Sequence, residues 1–191
     1  MIHTLLVADR EITYDGRQLT SHWIYRHFNL MGDAAVAFIG PCHVDLSTMV
    51  DIEDVKAKAP IFSPKMLHVL AEFFSGDLHL TVYRQRLLMV IAGELLAAST
   101  GRAIIRYGDD LYLPRIDGPP GKISVSIATV SSVSNLIHAG FNVETAGTPV
   151  SAAGLAELGV EPVTFGNELL TRYAAEIANI WQARCKVRAV V

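Results

Sequence analysis

The sequence predicts an α+β fold, an antiparallel or mixed sheet flanked by helices. Two observations lead there. At 191 residues with 51% hydrophobic side chains, the chain is long and apolar enough to bury a core without disulfide or metal staples. Apolar strand-like segments and helical stripes are interleaved, but without the regular strand–helix–strand alternation that a parallel doubly wound sheet requires.

The elements follow in order. Ile2–Ala8 is short and apolar and reads as a buried strand. Tyr14-Asp15-Gly16 is a turn, and Thr20 or Ser21 can cap a helix carrying Trp23, Ile24, His27, Phe28 and Met31. Ala34–Ile39 is a strand that delivers the chain to Gly40-Pro41-Cys42-His43. Val44–Ile61 is irregular and acidic, with Asp45, Asp51, Glu53 and Asp54 ahead of Lys56 and Lys58. A helix is predicted from Ser63, with Pro64 in its first turn and Met66, Leu67, Leu70, Phe73 and Phe74 at helical spacing. Leu78–Tyr83 reads as a strand after Gly76-Asp77, and Leu87–Ala98 as an apolar helix stopping at Gly101. Ile104–Tyr107 and Leu111–Leu113 are short strands around a Gly108-Asp109-Asp110 corner, and Pro114–Gly121 is a loop. Lys122–Val130 alternates and is rich in β-branched residues, hence a strand, and Leu136–Val143 is another. One helix ends near Gly159, a second runs over Asn167–Gln182, and Lys186–Val191 reads as a closing strand.

Composition narrows the function classes. A net charge of −3 offers no basic face for nucleic acid. Two lone cysteines, Cys42 and Cys185, make no disulfide scaffold. The longest stretch free of Asp, Glu, Lys and Arg, Ile123–Val143, holds five serines and His138, which argues against a spanning helix. The opening residues lack a basic, apolar leader, so a cytoplasmic protein is expected. Cys42 reads as a small buried hydrophobe rather than a nucleophile, and His43, Asp45 and Asp51 match no metal-site spacing. His3, His27, His68 and His79 read as packed or surface residues.

Four motifs, in one order, carry a family resemblance. Ile105-Arg106-Tyr107-Gly108-Asp109-Asp110-Leu111-Tyr112-Leu113 resembles the Lys-Trp-Pro-Asn-Asp-Leu-Tyr-Leu signature of biotin–protein ligases. Gly121-Lys122-Ile123-Ser124 is similar to the lysine motif of biotin and lipoate ligases. Ile137–Val143 resembles their Gly-Ile-Asn-Val strand end, and Leu155–Gly159 with the helix through Trp181 their final elements. The whole chain also resembles a prokaryotic family catalogued as domain of unknown function 366. The resemblance implies the biotin/lipoate branch of the class II aminoacyl-tRNA synthetase fold, as one domain over residues 1–191 without a C-terminal barrel. It implies Lys122–Val130 and Leu136–Val143 as antiparallel neighbours backed by the Leu87–Ala98 helix.

The resemblance further implies activation or transfer of a small carboxylic acid, with ATP and Mg²⁺ as cofactors and a homodimer as the assembly. Lys122 would be the catalytic cation that neutralises carboxylate and phosphate charge, with Arg106 as a second positive group. Asp109 and Asp110 would bind Mg²⁺, a ribose hydroxyl or an amine, and Gly140 and Asn142 would face nucleotide or acid. The plain alternatives are a solvated lysine, a tight turn and a strand cap. The ligases' glycine- and arginine-rich loop has no counterpart, and Val125 stands where they have glycine. The second expectation is therefore a ligand-binding or structural homodimer that kept the fold and lost the chemistry.

Overall fold

The computed structural model describes residues 2–190. Its main sheet has five strands: β1 (His3–Val7), β2 (Ala34–Val44), β3 (Ile61–Phe73), β7 (Ser124–Val130) and β8 (Asn135–Glu144). Their order is β1-β2-β3-β8-β7; β1 runs parallel to β2 and every other neighbour is antiparallel. A small second sheet joins β4 (Ile105–Tyr107), β5 (Asp110–Leu113) and β6 (Gly121–Lys122). The helices are α1 (Trp23–Phe28), α2 (Ile52–Ala57), α3 (Leu78–Thr100), α4 (Leu155–Leu158) and α5 (Pro162–Cys185).

Strand alternation divides the core. Ala35, Ala37, Leu67, Val69, Ala71, Ile137, Ala139 and Phe141 face α3 and α5, whose Leu88, Met89, Leu169 and Tyr173 complete that layer. Val36, Phe38, Met66 and Leu70 face the other way, onto Tyr14, Trp23 and Ile24 from the β1–β2 connection. The helices start and stop on local chemistry. Asp77 accepts from the Leu80 amide to open α3, and Gly101 closes it in the left-handed conformation. Glu161 accepts from the amides of Val163 and Thr164 ahead of Pro162 in the first turn of α5. No helix among the described residues is long and apolar enough to cross a membrane.

The α+β reading holds, with β7 and β8 antiparallel neighbours and α3 packed against both. Three expectations are corrected. The segment from Ser63 is strand, not helix: β3 is buried on both faces, so its apolar residues run together instead of alternating. Pro64 has no partner in either neighbouring register, sitting in the bulge against β2 and just outside the ladder with β8, so its missing N–H costs no bond. Leu78–Tyr83 is the start of α3, because Asp77 caps it and Thr81, Gln85 and Leu88 bury one helical stripe. Residues 186–190 form no strand, with Val187 and Val190 exposed, and Val191 lies outside the described residues.

Gly40 holds the edge of this architecture together. Residues 12–14 run alongside β2, with Ile12 N donating to Ile39 O at 3.0 Å, Tyr14 N to Pro41 O at 2.9 Å, and His43 N to Tyr14 O at 2.9 Å. A Cβ on Gly40 would lie 2.2 Å from the Ile12 carbonyl oxygen, a backbone atom with no freedom to swing aside. Gly40→Ala is expected to lower unfolding free energy by about 2–3 kcal/mol, read from urea unfolding. A change within ~0.5 kcal/mol would mean that residues 12–14 do not sit against β2 in solution.

Candidate functional site

A cavity of about 880 Å³ opens on the sheet face that bears Met66, at the start of β7 and the end of β8. Met66, Val125, His138 and Asn142 contribute from the main sheet, and the Asp109–Asp110 corner forms one wall. Residues 51–62, including α2, and the loop at 147–152 enclose the rest.

Lys122 extends from β6 to within 2.8 Å (Nζ to Oδ2) of Asp110, with both side chains mostly buried. Burial works against its ammonium, but the hydrogen bond and charge of Asp110 outweigh it and hold the pKa above the ordinary lysine value. Burial in turn pushes the Asp110 carboxyl up, more than Lys122 draws it down. The backbone at Lys122 is clamped from two strands. Asn142 Nδ2 donates to the Lys122 carbonyl at 3.0 Å, and Asn142 Oδ1 accepts from Ser63 Oγ at 3.0 Å. Asn142 therefore spends its side chain on positioning.

Asp109 is tied to α3. Its carboxylate accepts from Gln85 Nε2 at 3.1 Å and pairs with Arg86 at 3.3 Å. Ser126 Oγ accepts from the same Gln85 amide at 2.8 Å and donates to the Asp109 carbonyl at 3.1 Å. The corner stays sharp because Gly108 takes a φ of 61°. Across the cavity, burial and the charge of Asp51 raise the Asp54 pKa, while Lys122 pulls it down.

The structure thus brings Lys122, Asp109, Asp110 and Asn142 to one cavity. Arg106 is not there: it is exposed on β4, and its guanidinium donates to the Gly108 carbonyl. Gly140 does not line the cavity either. It lies under Met66 and Val125, where a Cβ would come within 2.8 Å of Met66 Cε. Cys42 is sealed in the core, and burial pushes its thiol up to about 12. Among the described residues no His, Cys, Asp or Glu cluster is arranged to hold a metal ion.

Two features were not predicted. The acidic stretch supplies a cavity wall, with Asp51, Glu53, Asp54 and Lys58 all lining it. His138 also lines it, and its Nε2 lies 3.1 Å from Nδ1 of the fully buried His68. Tyr14 stacks on the His138 ring at 3.7 Å. The signal was the period of two along β8, which places His138 on the face of Asn142.

Comparison with known proteins bears on the fold and family. The family model described as a domain of unknown function (DUF366) matches residues 3–188. An uncharacterised protein of Methanocaldococcus jannaschii is 34% identical over 183 residues, spanning 92% of this chain and 80% of that one. A protein of unknown function from Pyrococcus horikoshi superposes with a TM-score of 0.93 at 40% identity, over 100% of both chains. Biotin protein ligase from Aquifex aeolicus, in complex with biotin and ATP, gives a TM-score of 0.55 at 13% identity, over 91% of this chain and 69% of that one. A putative lipoate protein ligase from T. acidophilum with bound lipoic acid gives 0.54 at 15% identity, over 93% and 86%. The ligases share the fold with this chain, and at such identity the likeness extends no further.

Proposed function

The chain belongs to the DUF366 family, and from that premise we propose that it activates a small carboxylic acid with ATP, as a ligase or acyl/adenylyl transferase. The observation that carries the reading is the mostly buried Lys122 ammonium in a cavity of about 880 Å³, a size suited to small-molecule ligands. In this reading a carboxylate oxygen attacks the α-phosphorus of ATP, forming an O–P bond as the bond to pyrophosphate breaks. Lys122 then faces the negative charge that builds on the phosphoryl oxygens. Asp110 keeps the ammonium aimed before the substrates arrive, and Asn142 fixes the strand from which it projects. Mg²⁺ carried by the triphosphate would offset the charge of the phosphate oxygens, and Asp109 and Asp110 are the lining carboxylates that would hold it.

A second reading, a ligand-binding homodimer without catalysis, is favoured by the lining itself. Asp51, Glu53, Asp54, Asp109 and Asp110 outnumber Lys58 and Lys122, which disfavours a naked polyanion.

Exchange of labelled pyrophosphate into ATP, with short and ring-bearing carboxylic acids as the second substrate, separates the two. Acid-dependent exchange is the expected result. ATP binding without exchange for any acid would favour the binder, seen as ~2.7 kcal/mol of stabilisation at 100 times Kd. A protein whose melting neither ATP nor any acid shifts would overturn both readings. Light scattering of the same preparation tests the homodimer.

A further inference from the structure

The histidine pair beneath the cavity has its protons assigned by its surroundings. His68 Nε2 lies 3.2 Å from the Gly40 carbonyl oxygen, which can only accept, so that nitrogen carries a proton. His68 is fully buried, and burial lowers its pKa to about 4, so the ring is neutral and its Nδ1 bears a lone pair. That lone pair faces His138 Nε2 at 3.1 Å, so His138 must donate from Nε2. Burial, and then the neighbouring His68, lower the His138 pKa as well, and one proton is all the ring holds. Nδ1 of His138 is left as a bare acceptor.

No group among the described residues hydrogen-bonds that nitrogen, although His138 is only 4% exposed. Among the described residues, every side-chain nitrogen or oxygen sealed from solvent does have a partner. The Nδ1 atom is therefore reached from the cavity that His138 lines. Tyr14 stacks on one face of the ring at 10° between planes, leaving little freedom to turn it away. His138 lies four positions before Asn142 on β8, about 13 Å along the strand, and Asn142 holds the Lys122 backbone carbonyl. The cavity offers a cation, Lys122, and an acceptor, His138, with Met66 and Val125 adding apolar lining.

We propose that His138 Nδ1 determines specificity, selecting carboxylic acids whose end remote from the carboxylate carries an N–H or O–H donor. The inference rests on the acid-binding reading of the same cavity and names its substrate class. A donor-bearing head satisfies Nδ1; an isosteric head without one buries it unpaired, which binding sites reject strongly.

Biotin and lipoic acid are suitable probes, because both carry a pentanoate tail, while only biotin's head offers ureido N–H groups. Calorimetry with wild type in the absence of ATP should show biotin bound at least ~10-fold more tightly than lipoic acid. His138→Leu should bring biotin down to the level of lipoic acid and leave lipoic acid unweakened. His138→Gln should keep the preference, since its amide can donate to His68 while its carbonyl turns to the cavity. It also covers the case in which His138→Leu fails to fold. Lys122→Ala should weaken both acids alike. Equal binding of the two acids by wild type, or a preference that survives His138→Leu, overturns the inference and leaves the proposed function standing. Binding of neither acid overturns the inference, and the proposed function falls with it only if ATP and the other acids also leave the melting unshifted. Nitrogen NMR supplies a ligand-free readout: a proton found on Nδ1 of His138 would by itself refute the assignment.

Discussion

Lys122→Ala is expected to cost ~10²–10³ in the rate of acid-dependent pyrophosphate exchange, the usual loss when one preorganised electrostatic contact leaves a working site. The size follows from where the ammonium sits. It is mostly buried and 2.8 Å from Asp110, so its field at a phosphoryl oxygen is screened little by water. Lys122→Arg should not restore the rate. The planar guanidinium is wider than an ammonium, and Asp110 and Asp54 would compete for its fork. Asp110→Asn separates aiming from charge, because it keeps the shape of the partner while removing its negative charge. A loss in kcat larger than any rise in KM is expected, with the lysine less well held. Exchange that continues in Lys122→Ala within a few-fold of wild type would remove Lys122 from the chemistry, wherever the acid binds.

How much of this was legible depended on how each residue meets its neighbours. Strand β7 lies at the sheet edge and is half-buried along most of its length, so it keeps polar residues among its β-branched ones, and α5 has one buried stripe whose period of 3.6 shows in the sequence. Strand β3 is buried on both sides, and the period of its apolar residues disappears into a continuous run. Helix α2 buries none of its six residues, so the acidic segment gave no apolar pattern, yet its folding places Asp54 within reach of Lys122. Lys122, Asp109, Asp110 and Asn142 stood out because local motifs contain them, and the fold does gather them. Arg106 belonged to the same motif but turns outward, something a motif match does not encode. The pairing of His68 with His138 spans 70 residues of chain and exists only once β3 and β8 are neighbours. A lone histidine in an apolar strand looks like core, and each of these two is core; their chemistry arises from the contact.

That contact should also make the protein acid-sensitive. An unfolded histidine titrates near 6.5, whereas burial lowers the His68 pKa to about 4 and lowers that of His138 too. Between those values the unfolded chain takes up protons that the folded chain refuses. The stabilisation is therefore fully present above pH 6.5 and is lost as pH falls toward 4. For His68 alone the loss is about 3 kcal/mol, and His138 adds in the same direction. Asp54 and Asp110 work against it, since burial raises both carboxyls and folding takes up protons there, but their titration starts from the carboxylate range. The drop should consequently appear first, between pH 6.5 and 5, and flatten as the carboxyls join. Urea unfolding at several pH values from 7 to 4 measures it, and the double variant His68→Leu/His138→Leu should lose the slope in the upper half of that range. A slope unchanged in the double variant would assign the acid sensitivity to other groups. Equal stability of wild type at pH 7 and pH 4.5 would show that the pair accepts a proton in the fold. The neutral, fixed-tautomer arrangement on which His138's role in the cavity depends would fall with it.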